Sequence, residues 1–243
     1  MRRKFFLFII IVFIILLNIV YTQGFNINIA NKLKKRNVKN ISEVINHLKS
    51  LNKKDLILLK LINKKKGLDK SYIPDMLGKI PEKYCKNSKN IFIKSIVKPN
   101  LINMIESAEN DGIKLNILSG YRSYEYQRSL HNYYIKKYGK KYTEKISAKE
   151  GHSEHQLGTA IDLNSFRIDF KESNEFLWLK NNSYKFGFIL SYPENSFKKS
   201  GYIFEPWHYR FIGKKSAKIV FYNFKNDLYE VLEVVDNFGG CND

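Results

Sequence analysis

Residues Ser153 to Asn164 read SEHQLGTAIDLN, and how that stretch folds decides what the chain can build. His155 and Asp162 stand seven residues apart in it. A helix would stack the two on one face, two turns apart, but Gly158 and the run Thr159-Ala160-Ile161 favour an extended chain. In a strand, Ala160, Asp162 and Asn164 point one way while Ile161 and Leu163 point the other. Asp162 then turns away from the core, and a loop folded back at Gly158 can bring His155 to the same side. Taken alone, the pair is more often a surface histidine beside a strand-end aspartate.

Working outward toward the C-terminus, EPWHY at Glu205 to Tyr209 adds another imidazole and another carboxylate. Two histidines and an aspartate make a three-ligand set for zinc that leaves a fourth position open, and the remaining carboxylate, Glu205, can act as base toward a water. Regular strand geometry opposes this grouping, because residues three apart face opposite sides. A bulge or kink at Pro206, which has no N–H for a ladder, would bring Glu205 and His208 together, so the sequence predicts an irregularity there.

The flanking segments read as helices and strands in mixed order. After Pro99, the residues Leu101, Ile102, Ile105 and Ala108 form a helical stripe that Gly112 can end, and Ile113, Leu115 and Ile117 then alternate as a strand. Ser123 is placed to cap a second helix, with Gly139 past its end. Phe186 to Leu190 and Tyr202 to Phe211 read as further strands, and Ser216 to Phe224 as a closing helix. Without regular βαβ repetition, this order predicts an α+β domain with a mainly antiparallel sheet and helices packed on it.

The 243 residues are 44% hydrophobic, enough for a sizeable core, which excludes a wholly disordered chain. Lys+Arg 42 against Asp+Glu 23 gives a formal charge of +19 and favours a polyanionic partner. The abundance of lysine, asparagine and isoleucine together makes part of that charge a compositional background. No arginine stripe interleaved with aromatics is present, so no nucleic-acid partner is expected. Arg2, Arg3 and Lys4 precede FFLFIIIVFIILLNIVY, which reads as an export segment over residues 1–24, a signal peptide or signal anchor. An oxidising compartment would permit a disulfide between Cys85 and Cys241 without requiring one. Residues 25–54, with KLKKR at Lys32 to Arg36 and Ile41, Val44, Ile45 and Leu48 at helical spacing, read as a basic stalk carrying a short helix. A compact domain is expected over 55–230, with a tail over 231–243.

The ordered combination SGYRSYEYQ, GHSEHQLGTAIDL and EPWHYRF resembles the VanY-like D-alanyl-D-alanine carboxypeptidases. These are zinc peptidases of a wider group that takes in lysostaphin-type endopeptidases and the Hedgehog signalling domain. The resemblance runs from about Leu56 to Gly213 and includes WLKNNSYKFGFILSYP. It implies a Hedgehog/D-Ala-D-Ala peptidase-like fold, zinc held by His155, Asp162 and His208, and Glu205 as catalytic base. It also implies Arg122 on the substrate's terminal carboxylate, with Gln127 and Ser153 as neighbouring polar contacts. A guanidinium fork is the apt choice for a free carboxylate in a chain otherwise dominated by lysine. His47 and His131 match no motif, and His152 is left out of the ligand set. Ser191 departs from the family pattern at a place where relatives often carry arginine. The substrate implied is a peptidoglycan stem peptide ending in D-Ala-D-Ala, cut in the cell envelope. The basic stalk would be free to meet an anionic membrane or wall polymer. An endopeptidase or dipeptidase on the same scaffold, or a metal-containing binding module without catalysis, are the rival readings.

Overall fold

The computed structural model describes residues 28–86 and 90–237, which fall into two compact units divided between Ser50 and Leu51. The apolar run near the N-terminus lies outside the described residues, as does Cys241. Cys85 is buried, its thiol 3.7 Å from the Pro81 carbonyl oxygen. Among the described residues no helix is long and apolar enough to cross a membrane. In the first unit, helix α1 spans 28–35 and α2 spans Ile41–Lys49, so the basic stretch holds two helices rather than one. Asn40 caps α2, its side-chain oxygen accepting from the Glu43 N–H at 3.1 Å.

The second unit opens on helix α3 (Lys53–Leu58), started by a reciprocal capping box between Asn52 and Asp55. Strands β1 (Leu77–Lys79) and β2 (Phe92–Lys94) then pair as a small antiparallel ribbon. Four further strands make the main sheet: β3 (Ile117–Ser119), β4 (Ala160–Leu163), β5 (Phe188–Leu190) and β6 (His208–Phe211). Their order is β3-β4-β6-β5 and every pairing is antiparallel. Around it lie α4 (Lys98–Asn110), α5 (Tyr124–Tyr138), α6 (Lys140–Ile146), α7 (Asn174–Asn182), the single turn α8 (Phe197–Ser200), α9 (Lys214–Asn223) and α10 (Leu228–Asn237).

Of the expected stripe on α4, Leu101, Ile105 and Ala108 are buried, with Met104 beside them and Ile102 only partly covered, in one core with Ile117, Ile161, Leu163, Phe188 and Tyr209. Each such Leu or Ile contributes about 1.5–3 kcal/mol by leaving water. The central strands β4 and β6 are buried along their whole length, on both faces. One face carries Ile161 and Leu163 into the core. The other, with Asp162, is closed over by loops, which is where a buried charge needs partners.

Three further expectations change. The strand anticipated over Ile113 to Ile117 begins only at Ile117, because the Asn164 side chain takes up the neighbouring backbone. Its Oδ1 accepts from the Asn116 N–H and its Nδ2 donates to the Lys114 carbonyl, both at 2.8 Å. The strand anticipated over Tyr202 to Phe211 is confined to His208–Phe211, since the Ile203 and Glu205 N–H groups donate to Lys145 and Tyr192 outside the ladder. Residues 231–237, assigned to a tail, continue α10 and bury Val231, Leu232, Val234 and Val235.

Candidate metal centre and active site

The antiparallel register of β4 and β6 sets Asp162 directly opposite His208. Cross-strand partners share a face, so carboxylate and imidazole meet without any loop having to place them. His155 arrives from the 3-10 turn Glu154–Leu157, which Ser153 caps by accepting from the His155 N–H at 3.3 Å. Gly158 ends that turn at φ +70°, a left-handed conformation few side chains adopt, and turns the chain into β4. The ligand atoms of His155, Asp162 and His208 lie within 4.8 Å of one another and all three residues are buried. Among the described residues this is the three-residue cluster able to hold a metal ion. His152, by contrast, directs Nδ1 to the Asn63 carbonyl at 2.8 Å.

Each imidazole is oriented from behind. His155 Nδ1 donates to the Gly120 carbonyl at 2.7 Å, which puts the proton there and leaves Nε2 with a lone pair. Position 120 is itself pressed against β2, where a Cβ would lie 2.4 Å from the Phe92 carbonyl oxygen, so only glycine fits there. His208 Nε2 donates to Glu154 Oε2 at 3.1 Å, so Nδ1 is the nitrogen turned toward Asp162 Oδ1, also at 3.1 Å. The Tyr192 ring covers His208, its centroid 4.8 Å away.

The donor set fits a divalent cation. His155 Nε2 stands 3.2 Å from Asp162 Oδ2 yet forms no hydrogen bond. Two electron-rich atoms at that separation repel unless a cation joins them. Two imidazole nitrogens and one carboxylate with a further position open suit zinc, and a site built this way exchanges a proton for the metal. Burial holds the His155 pKa down at about 4, with Arg122 adding to the effect, so its imidazole is neutral and ready to ligate. Burial alone would raise Asp162, but the two imidazoles outweigh it and hold the carboxyl far below its usual range. For His208 burial works downward, and the hydrogen bonds to Asp162 and Glu154 overcome it, raising the pKa to about 10.

Glu205 reaches the same point from a turn. The His208 N–H donates to the Glu205 carbonyl at 3.0 Å, closing a tight turn through Pro206 and Trp207. That is the irregularity expected at Pro206, placed just before β6 rather than within it. The Glu205 Oε2 lies 3.7 Å from His208 Nδ1, beside the ligand set but outside it. Burial raises its pKa to about 7, moderated by His208, which suits a group that must take and return a proton near neutrality.

Arg122 follows β3 and lies on the other side of Asp162, its Nη2 3.6 Å from Oδ2. Gln127, one turn into α5, accepts from Arg122 Nη1 at 3.1 Å and donates to the Ala148 carbonyl at 2.7 Å. Both ends of the Gln127 amide are therefore committed within the protein. Ser153 is likewise buried, with its hydroxyl in the turn. Two functional residues escaped the sequence reading: Glu154 and Arg210. Glu154 stands next to His155 in the quoted motif, and Arg210 shares a face with His208 by strand alternation, but a lone charge in either position reads as solvent-facing.

The family model for VanY, D-alanyl-D-alanine carboxypeptidase, matches residues 90–214. A putative carboxypeptidase, YodJ, of Bacillus subtilis is 34% identical over 175 residues, 67% of this chain and 63% of that protein. The chain thus spans less than two thirds of that relative's length. The solved structure of the LdcB LD-carboxypeptidase, described as revealing peptidoglycan recognition, is 31% identical with a TM-score of 0.68, over 74% of this chain and 87% of that one. A vancomycin-resistance VanY D,D-pentapeptidase solved with Zn(II) is 30% identical with a TM-score of 0.62, over 72% of this chain and 99% of that one. VanYB solved with D-alanine-D-alanine matches with the same identity and TM-score, over 72% of this chain and 97% of its own.

Proposed function

The chain belongs to the VanY family of D-alanyl-D-alanine carboxypeptidases, and from that premise we propose that it is a zinc-dependent exopeptidase removing the terminal D-alanine from peptidoglycan stem peptides. The observation that carries the reading is the convergence of His155, Asp162 and His208 with Glu205 on one side and Arg122 on the other. Zinc held by His155 Nε2, the Asp162 carboxylate and His208 Nδ1 would supply Lewis-acid polarisation of the scissile carbonyl. Glu205 takes the proton of the attacking water on its carboxylate and returns it to the departing amine. Arg122 grips the terminal carboxylate, its guanidinium held in place by Gln127. That grip favours an exopeptidase over an endopeptidase, since an internal bond presents no carboxylate there. A complete ligand set beside a base near neutrality speaks against a binding module without catalysis.

The likeness to LdcB supports a second reading, an LD-carboxypeptidase that trims a stem one residue shorter. Both substrates end in a free D-alanine carboxylate, so Arg122 serves either. An extracytoplasmic location is part of the proposal, supported by the basic cluster and apolar run over residues 1–24. So is contact of the basic segment at Lys32 to Arg36 with an anionic membrane or wall polymer. The test is mass spectrometry of pentapeptide and tetrapeptide stems incubated with the protein, with and without a chelator. Loss of one alanine from the pentapeptide alone supports the first reading and loss from the tetrapeptide the second. Release of a dipeptide, or cleavage that a chelator does not stop, contradicts both.

A further inference from the structure

Glu154 and Arg210 form a buried ion pair directly behind the metal ligands. Both side chains are fully buried, and Glu154 Oε1 accepts from Arg210 Nη1 at 2.9 Å. Buried pairs of this kind are commonly no better for stability than apolar residues of the same size, so their presence calls for another reason. The remaining contacts point to one. Glu154 Oε2 receives the His208 Nε2 proton at 3.1 Å, while Arg210 Nη2 donates to the Leu58 and Lys60 carbonyls at 2.8 and 2.7 Å. Leu58 is the last residue of α3, so the guanidinium is anchored on the carbonyl at that helix end and on the Lys60 carbonyl just past it. The chain of contacts runs from fixed backbone, through Arg210 and Glu154, to the back of one imidazole.

We propose that Glu154, braced by Arg210, is a positioning residue that fixes the tautomer and orientation of His208 and thereby sets the protein's affinity for its metal. The inference rests on His208 being a metal ligand through Nδ1. A carboxylate can accept from both His208 and Arg210 at once. An amide of the same shape cannot, because one of its ends is a donor. In Glu154→Gln the oxygen stays with Arg210, the amide N–H faces His208 Nε2, and the imidazole proton is driven to Nδ1, the nitrogen that has to ligate. Nothing comparable threatens His155, whose outer partner is the Gly120 backbone carbonyl.

The experiment uses the purified full chain and zinc alone, with affinity read by competition against a chelator. Glu154→Gln is expected to weaken zinc binding 10- to 100-fold, the usual cost of removing an outer partner of a ligating histidine. In the zinc-saturated protein, where Nδ1 is on the metal, NMR of the imidazoles should show the His208 Nε2–H signal shifted by loss of its carboxylate acceptor, which a merely structural role would not move. Adding Arg210→Met to that variant frees the amide oxygen for His208. Part of the affinity should return, even though a second buried contact has been lost. Zinc affinity within twofold of the parent, an unchanged His208 Nε2–H signal, or a further loss in the double variant would each overturn the proposal. If His208→Ala keeps its zinc, the underlying ligand assignment has failed instead, and that result is read separately.

Discussion

The wall of the site that faces the metal and the wall that faces the substrate are built differently. On the metal side, Asp162 and His208 sit opposite each other on the two central strands, and nearly every polar atom has a partner within the protein. Of the ligand atoms, His155 Nε2 is the one without a hydrogen-bond partner, and it is the atom a cation would take. On the substrate side, Arg122 stands in the loop between an edge strand and a helix. Its side chain keeps 17% of its surface exposed, and its Nε is buried without a partner. A metal site gains from being assembled in advance. A substrate grip has to keep donors uncommitted until the ligand arrives, at the expense of a looser mount.

Removing a ligand from the assembled wall should have the largest effect. Asp162→Ala and His208→Ala are each expected to lose most of their zinc, because two donors remain where three are needed. Elemental analysis after dialysis measures it directly. Zinc retained in both variants would mean that the metal is held somewhere else and would dissolve the contrast between the walls.

Glu205→Ala tests whether that wall has an inner division of labour. The carboxylate is 3.7 Å from His208 Nδ1 and outside the ligand set, so zinc should stay. Turnover should drop by about 10²–10⁴, the range for loss of a general base. Zinc leaving along with activity would make Glu205 a ligand.

The parts of this arrangement that were legible in the sequence were those whose chemistry is local. A glycine and an alternating apolar run fix which way Asp162 faces, but His155, Asp162 and His208 were joined as one ligand set by the family resemblance of three short motifs. Pro206 announced the turn because it lacks an N–H. The Ser123 cap and the α4 stripe were equally local. Glu154 and Arg210 were not legible, because they lie 56 residues apart and become a buried pair only when β6 is laid beside β4. The shortened β3 has the same cause, since Asn164 reaches its backbone partners across 48 and 50 residues. Helix α10 is a different case: Leu228, Val231, Leu232 and Val235 stand at helical spacing, a signal present in the residues assigned to a tail.

On the substrate wall the effects should be smaller. Arg122→Lys keeps the charge and loses the fork, so about 1.5–3 kcal/mol of binding to the terminal carboxylate is forfeited, roughly a tenfold to hundredfold fall in kcat/KM. The parent enzyme should discriminate in the same sense between a stem peptide with a free C-terminus and its amide. Equal kcat/KM for the two would remove Arg122 from substrate recognition and promote the endopeptidase reading, with the metal wall untouched.

The smallest change asks whether the two walls are mechanically independent. Ser123 follows Arg122 directly and caps α5, its Oγ accepting from the Tyr126 N–H at 3.1 Å. Ser123→Ala should cost about 1 kcal/mol of stability, a fall in Tm of about 2–4 °C for a domain of this size. The first turn of α5 also carries Gln127, which steadies the Arg122 guanidinium, so loosening that turn should raise KM more than it lowers kcat. Zinc affinity should not change, because the ligands hang on β4, β6 and the turn before β4, none of which takes its hydrogen bonds from the cap. The Arg122 N–H does donate to the His155 carbonyl at 3.2 Å, a backbone link between the walls in addition to the β3–β4 pairing. A loss of zinc affinity in Ser123→Ala would show that this link transmits strain, and the loosely mounted wall would then have to be counted as part of the metal site.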